Sequence, residues 1–486
     1  MIGGVFLDNL RLVVSRLMHV VGIPVLLYFG ITNTILIILV VMAGVNFAHH
    51  QRRLGYAYRE ETLGNRLLSG ISIIMPAYNE QEVIVVSVQA MLSMEYPRFE
   101  VIVVDDGSID ETFSRLERAF DLIDIAREIS CDLPTLSVVD SMYVPRDGHT
   151  RLTVLRKKNS GKTDSISVGI NASCEELVVC VDADSILDPD ALIAVTKPFA
   201  DDPTRVVATG GVIRAVNGCE IVDGRVVKIN LAKSWLVRIQ VVEYLRAFLF
   251  GRAGWSKFGA LILISGAFAV FRRDIIVEIG GLDPNSIGED FEIVMRIHKY
   301  MIDCNRDYRV EFVTEPVAWT EVPENFRVLR VQRRRWHRGL WETLWKYKSM
   351  LLNPRYGKVG LLAVSHYWIF ELVAPLLELG GLILIIVGLL LGIVNIQYVL
   401  IFLAITYGYA ITITLLAICI EELTFHKYSS FRDLFVILIA AVIENIGYRQ
   451  LVAWWCLEGW WVSLRGKKQT WGTMTRRGFD NRAPRL

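Results

Sequence analysis

Two carboxylates one residue apart, Asp182 and Asp184, follow an apolar run, Val178 to Val181, that reads as a buried strand. At a strand end they repel each other unless a divalent cation bridges them; magnesium typically takes one or two protein carboxylates and leaves its other positions to substrate phosphate and water. Three further signatures bracket the pair: Asp105-Asp106-Gly107 before it, and Glu289-Asp290 and Gln332-Arg333-Arg334-Arg335-Trp336 after it. Glu289-Asp290 opens a helical segment running to about Tyr300, where capping and the helix dipole favour acids for structural reasons alone. The same position suits a general base, because a carboxylate beside a closed, partly dry pocket has its pKa raised toward neutrality. Around Gln332 to Trp336 stand Arg327, Arg330, His337 and Arg338, with Trp341 and Trp345 at helical spacing. That is the pattern of an amphipathic helix held to anionic lipid by arginines. A Gln and a Trp beside Arg335 also suit a diphosphate contact and a stacking surface for a sugar ring.

The elements that must position these groups are legible as strand and helix alternation between Ile71 and about Glu324. Ile71 to Met75, Val101 to Val104, Thr153 to Leu155 and Leu177 to Val181 each end in a polar loop, with amphipathic stretches at Glu82 to Leu92 and Thr112 to Ala126. This alternation predicts a mostly parallel sheet covered on both faces, with ligands at the carboxyl ends of its strands. No G-x-G-x-x-G follows a strand and no G-x-x-x-x-G-K-[ST] occurs, so dinucleotide and P-loop phosphate sites lack their mark. Pro76-Ala77-Tyr78-Asn79-Glu80 follows the first strand and Asp105 the second; a carboxylate there can accept from a base or ribose, and Tyr78 can pack on a planar base, although acidic turns after strands are common turn chemistry. In Asn159-Ser160-Gly161-Lys162 the glycine lets backbone approach a phosphate and the lysine supplies a point charge, a solvated loop lysine being the plainer alternative. Ser265-Gly266 precedes the strand-like Ala269 to Arg272, and Cys131 to Arg151 looks like an extra loop or hairpin.

The chain's 486 residues are 53% apolar with a mean hydropathy of +0.39, which points to a membrane class. A net charge of +1 and no recognition motif argue against nucleic acid as a partner. Seven cysteines without C-x-x-C or zinc spacing suit a reducing compartment. Val21 to Phe47 is long enough to span a bilayer, and His49, His50, Arg52 and Arg53 after it place the following segment in the cytoplasm. Phe6 to Val20 reads as an interfacial helix or as a plain extension of that span. Glu371 to Val394 and Tyr398 to Ile420 form a hairpin of two spans, and His426, Lys427 and Arg432 mark a return to the cytoplasmic surface. Leu434 to Leu464, interrupted by Glu444, Asn445 and Arg449, fits two crossings or a re-entrant pair, with Trp454, Trp455, Trp460 and Trp461 as interfacial belt residues.

In this order the D, D-x-D, E-D and Q-x-x-R-W series resembles the membrane-embedded processive branch of the family 2 glycosyltransferases, which includes cellulose, chitin-oligosaccharide, hyaluronan and poly-N-acetylglucosamine synthases. The likeness runs from Ile71 to the basic tail. It implies an α/β GT-A-type glycosyltransferase domain inserted between transmembrane helices, with amphipathic interfacial helices. The corresponding division is 1–60 as an interfacial segment and first span, 61–325 as the cytosolic domain, 326–358 as interfacial helices, 359–465 as the C-terminal membrane region and 466–486 as a basic tail. By resemblance, Ala77, Tyr78, Glu80, Asp105 and Lys162 contact the nucleotide, Asp182 lies near the diphosphate, and Asp184 with Asp182 holds Mg²⁺ or Mn²⁺. Asp290 is the base with Glu289 beside it, while Gln332, Arg335, Trp336, Ser265 and Gly266 hold diphosphate and acceptor.

The implied activity is inverting, processive polymerisation from a UDP-sugar donor onto a growing glycan, coupled to export across the inner membrane, with membrane lipids and accessory secretion subunits as further partners. The rivals are a transferase adding one sugar to a lipid carrier and a non-catalytic subunit of a secretion complex. Neither the F-x-V-T-x-K segment nor the cyclic-di-GMP barrel of bacterial cellulose synthases is present, which argues against cellulose made under that control.

Overall fold

The computed structural model describes residues 2–51, 64, 68–222, 224–425 and 431–465. Arg52, Arg53, His426, Lys427 and the tail 466–486, on which the expected orientation rests, lie outside the described residues. The first helix, α1 (Ile2–Gln51), runs through Pro24 unbroken, so Phe6 to Val20 extends it and is not a separate interfacial helix. At 1.5 Å per residue it is about 75 Å long, well beyond the ~30 Å of a bilayer's hydrocarbon core.

The middle of the chain begins with β1 (Ile71–Ala77), α2 (Ile84–Leu92), β2 (Phe99–Asp105), α3 (Thr112–Phe120), β3 (Leu122–Ile125), β4 (Val139–Pro145), β5 (Leu152–Lys157), α4 (Lys162–Ala172), β6 (Leu177–Val181) and β7 (Ser185–Leu187). It continues with α5 (Ala191–Asp201), β8 (Val206–Ala215), the small hairpin β9 (Glu220–Val222) and β10 (Arg225–Lys228), and α6 (Trp235–Arg246). A π-helical turn, Ala247–Arg252, leads into α7 (Ala253–Lys257), and then come β11 (Phe268–Arg272), α8 (Arg273–Glu278), α9 (Glu289–Asp303), β12 (Arg309–Thr320) and α10 (Phe326–Lys346).

Ten of these strands form one sheet in the order β3-β4-β5-β2-β1-β6-β11-β8-β12-β7. Its centre, β5-β2-β1-β6, is parallel, and these strands read as near-continuous apolar runs because both faces are buried. The expectation of a mostly parallel sheet needs correcting beyond that centre. β11 runs antiparallel to both β6 and β8, and β3-β4-β5 form an antiparallel edge. The helix expected to reach Ala126 stops at Phe120, where Asp121 turns left-handed (φ 45°) and releases Leu122–Ile125 into the sheet. Cys131 to Arg151 therefore contributes a strand, β4, to that edge. The segment before it braces α4: Leu133 exchanges two 2.9 Å hydrogen bonds with the Asn171 side chain, and Leu136 N–H donates to Asp164 at 2.6 Å.

Beyond α10, π-helical turns at Val359–Val364 and Tyr367–Leu372 lead into α11 (Ala374–Leu390), followed by α12 (Ile396–Phe425), α13 (Phe431–Ile443), the π-helical Glu444–Tyr448 and α14 (Arg449–Leu464). Four stretches are long and apolar enough to cross a membrane: Asp8–Gly44, Val359–Leu390, Val399–Ile420 and Arg432–Leu464. In an apolar 18-residue window of each, only 17–33% is buried by the protein, which leaves most of that surface uncovered. The second of these thus begins earlier than Glu371, as π-helical turns. The last is a broken helix: Ile446 (φ −108°, ψ 95°) and Gly447 (φ 88°) leave helical geometry between α13 and α14. Its second half packs on α10, so closely that a Cβ on Gly459 would stand 2.6 Å from the Arg334 carbonyl oxygen.

Candidate active site

The parallel register aligns the strand ends that carry the polar loops. Ala77 pairs with Asp105 and Asp105 with Arg156, one row across β1, β2 and β5. The two loops after β1 and β2 are laced together. Asp106 N–H donates to the Ala77 carbonyl at 2.9 Å, Asn79 Oδ1 accepts from Ile109 N–H at 3.0 Å, and Glu80 N–H donates to Thr112 Oγ1 at 2.8 Å. Asp105 is fully buried, accepts from Ser108 N–H at 3.0 Å and faces Arg156 Nε at 3.4 Å. Tyr78 stands exposed at the rim beside it, whereas Ala77 is buried. Gly107 takes φ 71°, and a side chain there would drive its Cβ to 2.8 Å from the Asn159 backbone nitrogen, so glycine is required where the two loops meet.

Asp106 proves more central to this edge than the sequence suggests. Its carboxylate pairs with Lys157 at the end of β5 and accepts from the Ser160 and Gly161 N–H groups at 3.0 and 2.9 Å. Lys157, fully buried, also reaches Asp164 at 3.2 Å. Burial alone would raise the Asp164 pKa, but the Ser160 hydroxyl, Leu136 N–H and Lys157 hold it below the usual carboxylate range. This buried charge network fixes the loop before α4. It was missed because a lysine ending a strand looks the same in sequence whether it is solvated or paired.

Lys162, first residue of α4, joins three of the motifs. Its ammonium lies 2.7 Å from Asp182 Oδ1 and 3.0 Å from Glu289 Oε1, and donates to the Gly266 carbonyl at 3.4 Å. It is therefore tied into the site, not a solvated loop lysine. Burial alone would lower its pKa, but the Asp182 and Glu289 carboxylates outweigh that and hold it above the usual lysine value. Asp184, two residues after Asp182, is nearly buried at 9% exposure.

Asp290 sits in the first turn of α9. Its Oδ2 accepts from Gly266 N–H at 3.0 Å and its Oδ1 from Phe291 N–H at 2.8 Å. Burial and the adjacent Glu289 raise its pKa above the usual carboxylate value, against the opposing pull of Lys162 and the two N–H groups. A Cβ on Gly266 would meet the Asp290 side chain at 3.2 Å, so that glycine sets how near the β11 loop can come. His298, lower on α9, is no rival base: burial pushes its pKa down to about 4, and its ring nitrogens are occupied by Tyr308 Oη at 2.6 Å and the Leu261 carbonyl at 2.8 Å.

Helix α10 docks on the start of α9 through glycine. A Cβ on Gly339 would stand 3.0 Å from the Gly288 nitrogen, and one on Gly288 would stand 3.3 Å from the Gly339 Cα. At about 100° per residue, Gln332, Arg335, Trp336 and Gly339 share an arc of roughly 100° on α10, so the first three lie on the side that meets α9. Gln332 is buried with its Oε1 unpartnered among the described residues, and Trp336 is 43% exposed.

Three arginines of this helix are engaged by carboxylates of the protein. Arg333 forms a bidentate pair with Glu243 of α6 (2.9 and 2.7 Å) and lies 4.6 Å over the Trp336 ring, Arg330 pairs with Glu458 of α14, and Arg338 with Glu342. Glu243 escaped the sequence reading, although an acid inside the apolar run Trp235 to Phe250 was its available signal.

The described residues contain no group of three or more His, Cys, Asp or Glu side chains able to hold a metal. Asp182 and Asp184 can hold a divalent cation only if substrate oxygens and water complete its shell, which is the usual magnesium arrangement.

The profile of glycosyl transferase family group 2 matches residues 177–413, and that of glycosyl transferase family 2 matches residues 72–131. A poly-β-1,6-N-acetyl-D-glucosamine synthase of Staphylococcus epidermidis is 27% identical over 298 residues, 60% of this chain and 61% of that protein. The enzyme of the same name from Staphylococcus aureus strain COL is 26% identical over 309 residues, 62% and 63% of the two chains. This chain thus spans less than two thirds of those relatives' length. Among solved structures, a mannosyltransferase of Pyrobaculum calidifontis in complex with GDP-mannose and Mn²⁺ matches 84% of this chain and 99% of its own, with a TM-score of 0.50 at 20% identity, a likeness of fold. With family 2 profiles on both parts of a GT-A-like mixed sheet, the chain carries glycosyltransferase family 2 domains, and it has helices long and apolar enough to cross a membrane.

Proposed function

We propose that the chain is an inverting, processive β-glycosyltransferase that polymerises sugar from a UDP-sugar donor into an extracellular polysaccharide. The observation that carries this reading is Asp290, whose two oxygens are fixed by backbone N–H groups at the point where the β11 loop, α9 and the Gln332–Trp336 helix meet. Asp290 takes the proton of the acceptor hydroxyl as its oxygen bonds to the anomeric carbon. The bond from that carbon to the diphosphate breaks on the opposite face, and UDP leaves with the electron pair. One displacement inverts the centre, so an α-linked donor yields a β-linkage.

Ala77, Tyr78, Glu80 and Asp105 hold the nucleotide at the strand ends. Asp182 and Asp184 would hold Mg²⁺ or Mn²⁺ with the diphosphate, and the cation, when bound, offsets the charge of the leaving group. Lys162 supplies a protein cation at the same place, with Glu289 keeping it in position. Ser265 and Gly266 shape the loop over Asp290, and Gln332, Arg335 and Trp336 receive the acceptor end.

N-acetylglucosamine is the first sugar to test, because the curated relatives named above are poly-β-1,6-N-acetyl-D-glucosamine synthases. Export through the membrane part is supported by ion pairs against its helices, Arg246 of α6 with Glu444 and Arg449 with Glu378, the two arginines lining a cavity of about 40 Å³ together with Tyr28 and Asn33. Reconstituted enzyme given a panel of labelled UDP-sugars should release UDP with one of them and build a β-linked polymer protected inside inverted vesicles. Transfer of a single sugar, or an α-linked product, would reject the reading.

A further inference from the structure

Two 3₁₀ turns, Lys348–Met350 and Pro354–Tyr356, and the π-helical turn Val359–Val364 join α10 to the apolar stretch Val359–Leu390. The join is folded tightly on itself: Leu352 N–H donates to the Gly360 carbonyl at 3.3 Å, and a Cβ on Gly360 would stand 2.5 Å from the Met350 carbonyl oxygen. It is also tied to α9. Arg355 lies 2.9 Å from Asp303 and Tyr356 Oη donates to the same carboxylate at 3.2 Å, while Lys346 and Tyr347, just before the first turn, donate to Glu292 at 2.6 and 2.8 Å.

That packing does not account for what the join presents outward. Leu352 is 63% exposed with a φ of 53°, a left-handed conformation that a leucine adopts only at a cost. Trp345 is half exposed, stacked on Trp341 at 5.0 Å and tilted against Trp368, a residue of the apolar stretch itself, at 6.2 Å. Lys348 holds its ammonium 4.4 Å over the same Trp345 ring. Lys348 and Lys358 are exposed, and among the described residues neither pairs with a carboxylate, whereas Arg330, Arg333 and Arg338 of α10 all do.

The level of this patch is set from two sides. Tyr367, next to Trp368, stacks on Phe291 of α9 at 5.7 Å, so this part of the stretch still lies against the glycosyltransferase domain. Beyond it the stretch is apolar and only 17% buried by the protein in its most apolar window, with Leu361 and Leu362 already exposed at its start. Trp345, Lys348 and Leu352 therefore stand where the domain gives way to bilayer. Cations, an amphipathic indole and exposed leucines in that place match the phosphate, carbonyl and acyl levels of a lipid surface. Continuity with the apolar stretch favours lipid over a soluble partner, and unpaired lysines favour an anionic headgroup.

We infer that the join between α10 and the Val359–Leu390 stretch is a docking surface for anionic phospholipid, with Lys348 and Lys358 on headgroup phosphates and Trp345 and Leu352 in the layers beneath. The inference does not depend on the chemistry proposed for Asp290.

The test is native mass spectrometry of the full-length protein in detergent, titrated with dioleoyl phosphatidylglycerol or dioleoyl phosphatidylcholine. Wild type should bind phosphatidylglycerol at least tenfold more tightly than phosphatidylcholine. The double variant Lys348→Gln/Lys358→Gln should bring the two within threefold, with the melting temperature and UDP binding unchanged, and Lys348→Arg/Lys358→Arg should keep the wild-type preference. Trp345→Ala should weaken both lipids alike. Equal affinities in wild type would overturn the inference, as would a glutamine variant that keeps the preference. Displacement of phosphatidylglycerol by equimolar inorganic phosphate would also overturn it, because the site would then bind free anions and not a lipid surface.

Discussion

The two flanks of Asp290 are built differently. On the flank proposed for the donor, short loops at the ends of parallel strands present carboxylates, and their geometry is fixed by backbone register and a buried ionic network around Lys157. On the flank proposed for the acceptor, long helices meet through glycines and bidentate arginine–carboxylate pairs, and the polar groups sit inside apolar sequence. Hydrogen-bonded register between strands holds the first flank, whereas side-chain pairs and glycine contacts between helices hold the second, so the two flanks should fail in different ways when disturbed.

The largest effect should come where the flanks meet. Asp290→Asn keeps one acceptor oxygen for the two backbone N–H groups and removes the base, and transfer should fall by about 10²–10⁴-fold with UDP binding intact, measured by UDP release and calorimetry. On the donor flank, Lys157→Met leaves the buried Asp106 and Asp164 without their cation. Breaking a buried pair typically costs about 3–5 kcal/mol, so the melting temperature should drop and UDP binding weaken together. On the acceptor flank, Glu243→Gln frees Arg333 from its fork and lets Trp336 shift. A displacement of about 1 Å at a positioning group costs up to about 10²-fold in rate, and here it should appear in acceptor KM and kcat while UDP binding is kept. If Glu243→Gln weakens UDP binding as much as Lys157→Met does, the division into flanks is wrong. The smallest change is expected at Arg146–Asp121, an exposed pair at the outer sheet edge, where Arg146→Ala should alter neither activity nor melting temperature measurably.

The same contrast explains what could be read in the chain. Strand periodicity located β1, β2, β5 and β6, and with them the loops of Asp105, Lys162 and Asp182, because a strand buried on both faces declares itself locally. The antiparallel insertion of β11 depends on long-range pairing and left no local mark. Asp121 ending α3 in a left-handed turn was equally hidden, since aspartate is compatible with helix and turn alike. Glu243 was overlooked as a group anchoring Arg333, because charge inside an apolar helix gains its meaning from a partner brought by the fold. In α10 the arginine pattern suggested a lipid surface, and the carboxylates that take up Arg330 and Arg333 lie 128 and 90 residues away.

The most direct test of Asp290 as the base is the pH dependence of transfer. The base works only when deprotonated, so the rate must fall as pH drops through the pKa of Asp290, which burial and Glu289 raise. Wild-type kcat/KM should show an acid limb with its midpoint above the ~3.9 of an ordinary aspartate, and the residual transfer of Asp290→Asn should lack that limb. An acid limb unchanged in Asp290→Asn would contradict the account.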